Sequence, residues 1–230
     1  GGITAGTTAG TPPAISICAI RVGTSSSVTA IFQNNTIGGT AANSIQSTST
    51  ATATVVQGIH TQPTFAPNAT ITGNVVRNMT SAAGNGTGST PAMAGIVIGS
   101  SSVNNTVSQN TIHSLSSTNA TTTGHITGIM YQGSTGTNLI ERNLIHSLSA
   151  VSASAVINGI YINAGTATYQ NNMIRLGIDA GHALTCPLDP QGPRHEYRVT
   201  RPDAYPPRSP GHTDPGARQG DQAVGPEGAP

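Results

Sequence analysis

The chain has no lysine and no tryptophan, and 7% of its 230 residues are charged, where soluble domains usually carry about 25%. Through residue 176 it holds four arginines and one acid, Glu141. Nucleic-acid binding needs clustered Lys and Arg to neutralise phosphates, so this positive charge is too sparse for it. Glycoside hydrolysis normally needs a pair of carboxyl groups, and Ca²⁺-assisted lyase chemistry needs several acidic oxygens. A single acid supplies neither. Glu141 next to Arg142 reads as a solvated ion pair on the strand before Asn143.

Aromatics are scarce as well: two Phe and five Tyr leave few platforms on which a sugar could stack tightly. No stretch approaches the ~20 apolar residues of a membrane-spanning helix. The sequence opens on Gly1 rather than on Met and a basic segment, and reads as a processed or internal piece of a longer protein. The two cysteines, Cys18 and Cys186, have no metal-type spacing; two unpaired thiols are expected, with a disulfide left open. There is no G-x-S-x-G, no Walker sequence and no Cys beside a His. The GNGTG of residues 84–88 imitates a phosphate loop, but no helix follows it and it reads as a flexible turn.

What is abundant is Ser, Thr, Asn, Ala and Gly, with Ile and Val at fixed places. Disordered chains combine high charge with few organised apolar residues, and this chain does the opposite. Aligned on itself, it shows five anchors: Ala19-Ile20, Gly58-Ile59, Gly95-Ile96, Gly128-Ile129 and Gly159-Ile160. Each is followed 13 to 16 residues later by Asn-x-Ile or Asn-x-Val, the Asn being Asn35, Asn74, Asn110, Asn143 and Asn172. The clearest copies, NTIHSLS at 110–116 and NLIHSLS at 143–149, lie 33 residues apart.

Around the anchors the pattern has period two, as in Ile96 and Ile98 or Ile160 and Ile162. A second apolar set, Phe32, Ile71, Val107, Ile140 and Tyr169, stands three residues before each Asn. Each repeat therefore offers at least two short strands with one face inward, Tyr131 and Tyr169 included, separated by turn-forming Gly, Ser, Thr and Asn. No Asn-Gly or Asp-Gly hairpin turn recurs between the runs, and equivalent residues return in the same direction. The expected fold is all-β: a right-handed parallel β-helix of about five coils over residues 15–176, stacked ~4.8 Å apart to a height of roughly 24 Å. Residues 1–14 read as a Thr/Gly/Ala-rich lead-in.

These G-I-x-I and N-x-I-x-x-L segments resemble the right-handed parallel β-helix repeats of the pectin-lyase-like superfamily, in the non-catalytic versions found in large secreted bacterial surface proteins. The resemblance covers residues 15–176. It implies an extracellular or cell-surface setting and says little of activity, since one fold serves many functions.

The spacing between anchors shrinks from 39 residues to 31, and the surplus is expected after the Leu-Ser segments, in projecting loops at 80–91 and 116–125. Stacked Asn35, Asn74, Asn110, Asn143 and Asn172 should form an amide ladder holding a turn in register, a structural role. His113 and His146 share a repeat position and would stack ~5 Å apart, which makes them the candidates for a metal site. Their column also contains Gly38, Arg77 and Arg175, the mixture of an outward-facing position, and no metal or cofactor is expected. His60, His125, His182, His195 and His212 fit no constellation. Six Asn-x-Ser/Thr sequons, at Asn34, Asn68, Asn78, Asn85, Asn104 and Asn119, follow from a composition rich in Asn and Thr.

From residue 177 the composition changes: 12 of the 17 charged residues and 10 of the 15 prolines fall in the last 54 positions. This tail is expected to be disordered, as a linker or partner-binding segment, or else to be read in a different frame from the repeats. The leading functional expectation is a non-catalytic structural or adhesive segment of a larger secreted or surface protein, binding glycans or other surface proteins weakly. The alternative is a fragment of a polysaccharide-active lyase or glycoside hydrolase whose catalytic coils lie elsewhere. Restoration of the repeat in another frame after Gly177 would mark a misframed fragment.

Overall fold

A computed structural model describes residues 2–6, 15–23, 29–62, 68–84, 90–99, 104–120 and 123–177. Over these residues the chain is all-β, with 17 strands and no helix. Every strand pairing among them is parallel. The described residues all belong to one compact unit, Gly1–Pro187. The tail call, with His182, Cys186, His195 and His212, lies outside the described residues, as do residues 85–88 of the GNGTG turn.

After β1 (Ile3–Ala5), five coils follow. The first is β2 (Ile17–Val22), β3 (Ala30–Gln33), β4 (Thr36–Ile37) and β5 (Ile45–Ser47). The second is β6 (Val56–Thr61), β7 (Ala69–Thr72) and β8 (Val75–Ser81), and the third is β9 (Met93–Ile98), β10 (Thr106–Ser108) and β11 (Thr111–Ser117). The fourth is β12 (His125–Tyr131), β13 (Asn138–Glu141) and β14 (Leu144–Ala150), and the fifth is β15 (Val156–Ile162), β16 (Ala167–Gln170) and β17 (Met173–Arg175). Like strands of successive coils pair into three sheets. Sheet 1 is β2-β6-β9-β12-β15, sheet 2 is β3-β7-β10-β13-β16, and sheet 3 is β1-β5-β8-β11-β14-β17, with β4 also on β8. This is the expected parallel β-helix, with three strands per coil where the sequence shows at least two.

The repeat motif is legible in the backbone. Between sheets 2 and 3 the chain turns through one residue with positive φ, namely Asn34, Gly73, Gln109, Arg142 or Asn171, at 52° to 67°. The ladder Asn comes next. Side chains bearing a Cβ adopt this left-handed region at a cost, which Gly and Asn bear best. A second left-handed residue, Asn78, Ser114 or Ser147, interrupts the in-out alternation of β8, β11 and β14. For that reason Ile112 and Leu115, three apart, are both fully buried, and the motif reads N-x-I-x-x-L.

Inward residues stack in columns of like kind: Ile59, Ile96 and Ile129; Ile71, Val107 and Ile140; Val76, Ile112 and Ile145. Fully burying each such side chain is worth ~1.5–3 kcal/mol. The glycine of each G-I anchor lies where sheet 3 meets sheet 1. A Cβ on Gly95 would sit 2.6 Å from Ile112 Cγ2 and 2.6 Å from the carbonyl oxygen of Gly128. Tyr131 is buried, and Tyr169 meets it edge-on at 6.4 Å between ring centroids, both against the core.

Two features differ from the sequence reading. The first coil's surplus lies within sheet 3, because Ile37 pairs with Val76 and Ile45 with Met79, leaving residues 38–44 to bulge out between them. Positive φ at Gly38 and Asn43 turns the chain out and back, and Ser44 Oγ accepts from the Gly39 N–H at 2.7 Å. Within the segment read as a lead-in, Ile3–Ala5 form β1 and pair with β5, extending sheet 3 ahead of the first Ile anchor. No Asn-x-Ile precedes β1, so the repeat could not reveal it.

Candidate functional site

The Asn column is the most regular polar feature, and its chemistry is internal. Nδ2 of Asn35, Asn74, Asn110 and Asn143 donates to Oδ1 of the next Asn at 2.9 Å in every case. The same Oδ1 atoms accept the backbone N–H of the preceding Asn at 3.0 to 3.1 Å. The remaining amide protons of Asn74, Asn110, Asn143 and Asn172 go back to the carbonyls of Phe32, Ile71, Val107 and Ile140. No polar atom of the inner members is left over for a ligand. A second, shorter ladder was not anticipated: Asn105 donates to Asn138 Oδ1 at 3.0 Å, and Asn105 Oδ1 accepts the Ala69 N–H. Its signal was present, since both stand five residues before a ladder Asn, but Ala30, Ala69 and Ala167 fill the other coils and hide the column.

His113 and His146 come together on the outer face of sheet 3. They pair in register, with ring centroids 5.0 Å apart and planes 1° from parallel. The Nδ1 of each lies against a serine hydroxyl, Ser114 at 2.9 Å and Ser147 at 2.8 Å. Two His nitrogens bound to one Zn²⁺ can be no more than ~4.2 Å apart, with lone pairs converging. Parallel stacked rings with centroids 5.0 Å apart direct their in-plane lone pairs side by side rather than toward a common point. This geometry does not chelate one ion, and no group of three metal-ligating side chains occurs among the described residues. Arg77 pairs with His113, and Arg175 with His146, so the column runs Arg77, His113, His146, Arg175 across four coils. All four side chains are half-buried. Burial, then the positive charges of His146 and Arg77, lower the His113 pKa below its ordinary 6.5.

A groove of about 590 Å³ lies on the outer face of sheet 1, lined by Cys18, Arg21, Gln57, His60, Val97 and Met130 among others. Register sets Arg21 beside His60 and Cys18 beside Gln57. Nucleophilic use of Cys18 would require a thiolate, yet burial raises its pKa, and its Sγ donates to the Ile20 carbonyl at 3.3 Å. The His60 pKa is lowered by burial and then by Arg21. With the Gln62 amide oriented so that its oxygen faces Arg21, it accepts from Arg21 Nε at 2.9 Å. The outward residues Ala94, Val97 and Met130 form a second buried apolar cluster, of which Val97 and Met130 line the groove.

Glu141, the acid of residues 1–176, accepts from Gln170 Nε2 at 2.8 Å and lies 4.0 Å from Arg142 Nε. Glu141 ends β13, in register with Gln170, and Arg142 takes the left-handed turn position that follows it. Of the sequons, Asn34 takes the left-handed turn position between sheets 2 and 3, and Asn78 is the left-handed residue within β8. Asn85 lies outside the described residues.

No family model matches this chain, and comparison with curated proteins and with solved structures likewise returns no match.

Proposed function

We propose that the chain is a non-catalytic, structural or adhesive β-helix segment of a larger secreted or cell-surface protein, of the kind its repeats resemble in the pectin-lyase-like superfamily. The observation that carries this reading is the Asn ladder, in which the most regular polar groups of the molecule are consumed in holding successive coils together. The acid-poor surface points the same way, since Glu141 is already engaged by Gln170 and Arg142. Glycans or other surface proteins are the partners such a rod would meet, through polar loops and with low affinity.

The test is to incubate the full chain with acidic and neutral polysaccharides across pH 5 to 9, with and without Ca²⁺, and to assay new reducing ends and unsaturated products. No turnover, together with a protease-resistant core spanning the coils, is the expected result. Catalytic release of oligosaccharides would overturn the reading in favour of an enzyme fragment.

A further inference from the structure

We propose that the two end coils dock on one another between copies of this chain, head to tail, so that the first coil of one molecule follows the fifth coil of its neighbour. Of the large apolar side chains that stay exposed among the described residues, all but Val151 lie in β1, β3, β15 or β17 or, like Leu176, directly after β17. They gather at the two ends of the stack. There the outer edges of β15, β16 and β17, and of β2, β3 and β4, pair with no described strand. Open edges are usually blunted by Pro or charge, yet these six strands contain no Pro, and their charged residues are Arg21 and Arg175.

The ends match because they terminate the same columns. Followed through the coils, one inward column ends in Ile160 and Ile20, a second in Tyr169 and Phe32, and a third in Ile162 and Val22. Apolar meets apolar at each. The Asn ladder has a donor end and an acceptor end. Asn172 Nδ2 donates to the Ile140 carbonyl, but no later Asn receives its second amide proton or its backbone N–H as at the inner rungs, and Asn35 Oδ1 accepts from no earlier Asn. Docked head to tail, Asn172 donates to Asn35 of the next copy and the ladder continues. Outside the core, the column through Met130 ends in Tyr161 and Arg21, a cation that can lie over an aromatic ring.

Sheet 3 admits this contact without collision. There β17 follows residues 144–146, the first half of β14, whereas β1 follows β5, which is in register with the second half, so the two strands lie end to end at one level. A second copy fits these ends better than the chain's own tail does. The last 54 positions carry 10 of the 15 prolines and 12 of the 17 charged residues; Pro brings no N–H to an open edge, and charge is costly over an apolar end. A head-to-tail contact is heterologous and does not close on itself, so the product is an open stack.

The full chain is sedimented from micromolar to near-millimolar concentration and imaged by electron microscopy. Mass that climbs with concentration past two copies, in stacks lengthening by roughly 24 Å per copy, is the expected result. Amide exchange in β2 and β15 should slow over the same range. Ile162→Lys/Ile174→Lys blocks one end and Ile3→Lys/Ile20→Lys the other, and each variant alone should associate at least about tenfold more weakly. Mixed, they should form a heterodimer that grows no further, since each supplies the intact end that the other lacks, a rescue that misfolded variants could not give. An unsubstituted chain that stays monomeric or stops at two copies would overturn the proposal, as would association that the end variants retain, or folded variants that fail to pair when mixed. The assembly goes beyond the rod reading, and its failure would leave that reading standing, since turnover assays rather than self-association decide it.

Discussion

Asn110 has every polar side-chain atom committed: Nδ2 donates to Asn143 Oδ1 and to the Ile71 carbonyl, while Oδ1 accepts two N–H groups of Asn74. Truncating it leaves the Asn74 N–H and the Ile71 carbonyl without these partners inside the solenoid, at about 1–3 kcal/mol for each buried group. Asn110→Ala is therefore expected to lower stability in urea titration by roughly 2–6 kcal/mol. Asn35, at the first rung, donates to Asn74 but receives nothing from an earlier Asn, and Asn35→Ala should cost about half as much. Equal losses at the two positions would mean the ladder does not act as a chain of bonds. The histidines predict a pH dependence. Burial holds His60 and His113 below the ordinary value of 6.5, so the unfolded chain takes up protons that the folded chain does not. Their contribution to stability is full above about pH 6.5 and is lost as pH falls below it, through the lowered folded-state values. The Tm should drop between pH 7 and pH 5, and His113→Gln should flatten part of that slope.

Each strand obeys a local rule that its neighbours enforce. In β9 the anchor Gly95 faces Ile112 of β11 so closely that an added methyl must displace either that side chain or the Gly128 backbone. Gly95→Ala should cost about 1–3 kcal/mol in chemical denaturation, like other overpacked core sites. In β14 the left-handed Ser147, at φ 55°, brings Leu148 inward beside Ile145. Ser147→Gly should be nearly neutral there, whereas Ser147→Val, a β-branched residue at positive φ, should destabilise by about 1–3 kcal/mol. Both lose the hydroxyl beside His146, so the difference between them does not reflect that contact. Parallel pairing and inward faces were legible in the Gly-Ile and Asn-x-Ile spacings, because stacked coils repeat the same residue at the same place. The third strand of each coil was less so: it shares the Asn-x-Ile motif with the turn before it, and its left-handed residue breaks the period of two.

At the scale of the molecule, stability should be graded along the axis. Ile96 and Ile129, in the third and fourth coils, are fully buried, while in the fifth Ile162 is 52% and Ile174 42% exposed. Solenoid stability is a sum of coil and interface terms, and a coil covered on one side has only one interface. Amides of β15 and β17 should exchange hydrogen before those of β9 and β11, as mass spectrometry of peptides from each coil would record. Uniform protection would show instead that the stack unfolds as one cooperative body.

The sequence by itself determined the periodic features: five coils, parallel stacking, the Asn column and the shared position of His113 with His146. A residue type recurring at one place in every coil needs only its neighbours above and below to explain it. Tertiary structure decided whatever joins unlike positions. It placed β1 on β5 without a motif, moved the first coil's surplus into sheet 3, and paired Asn105 with Asn138 in a column that alanines interrupt. It also gathered Cys18, Arg21 and His60 around one groove. Such contacts depend on where a coil closes and how its corners turn, and those are set by packing between sheets rather than by any period along the chain.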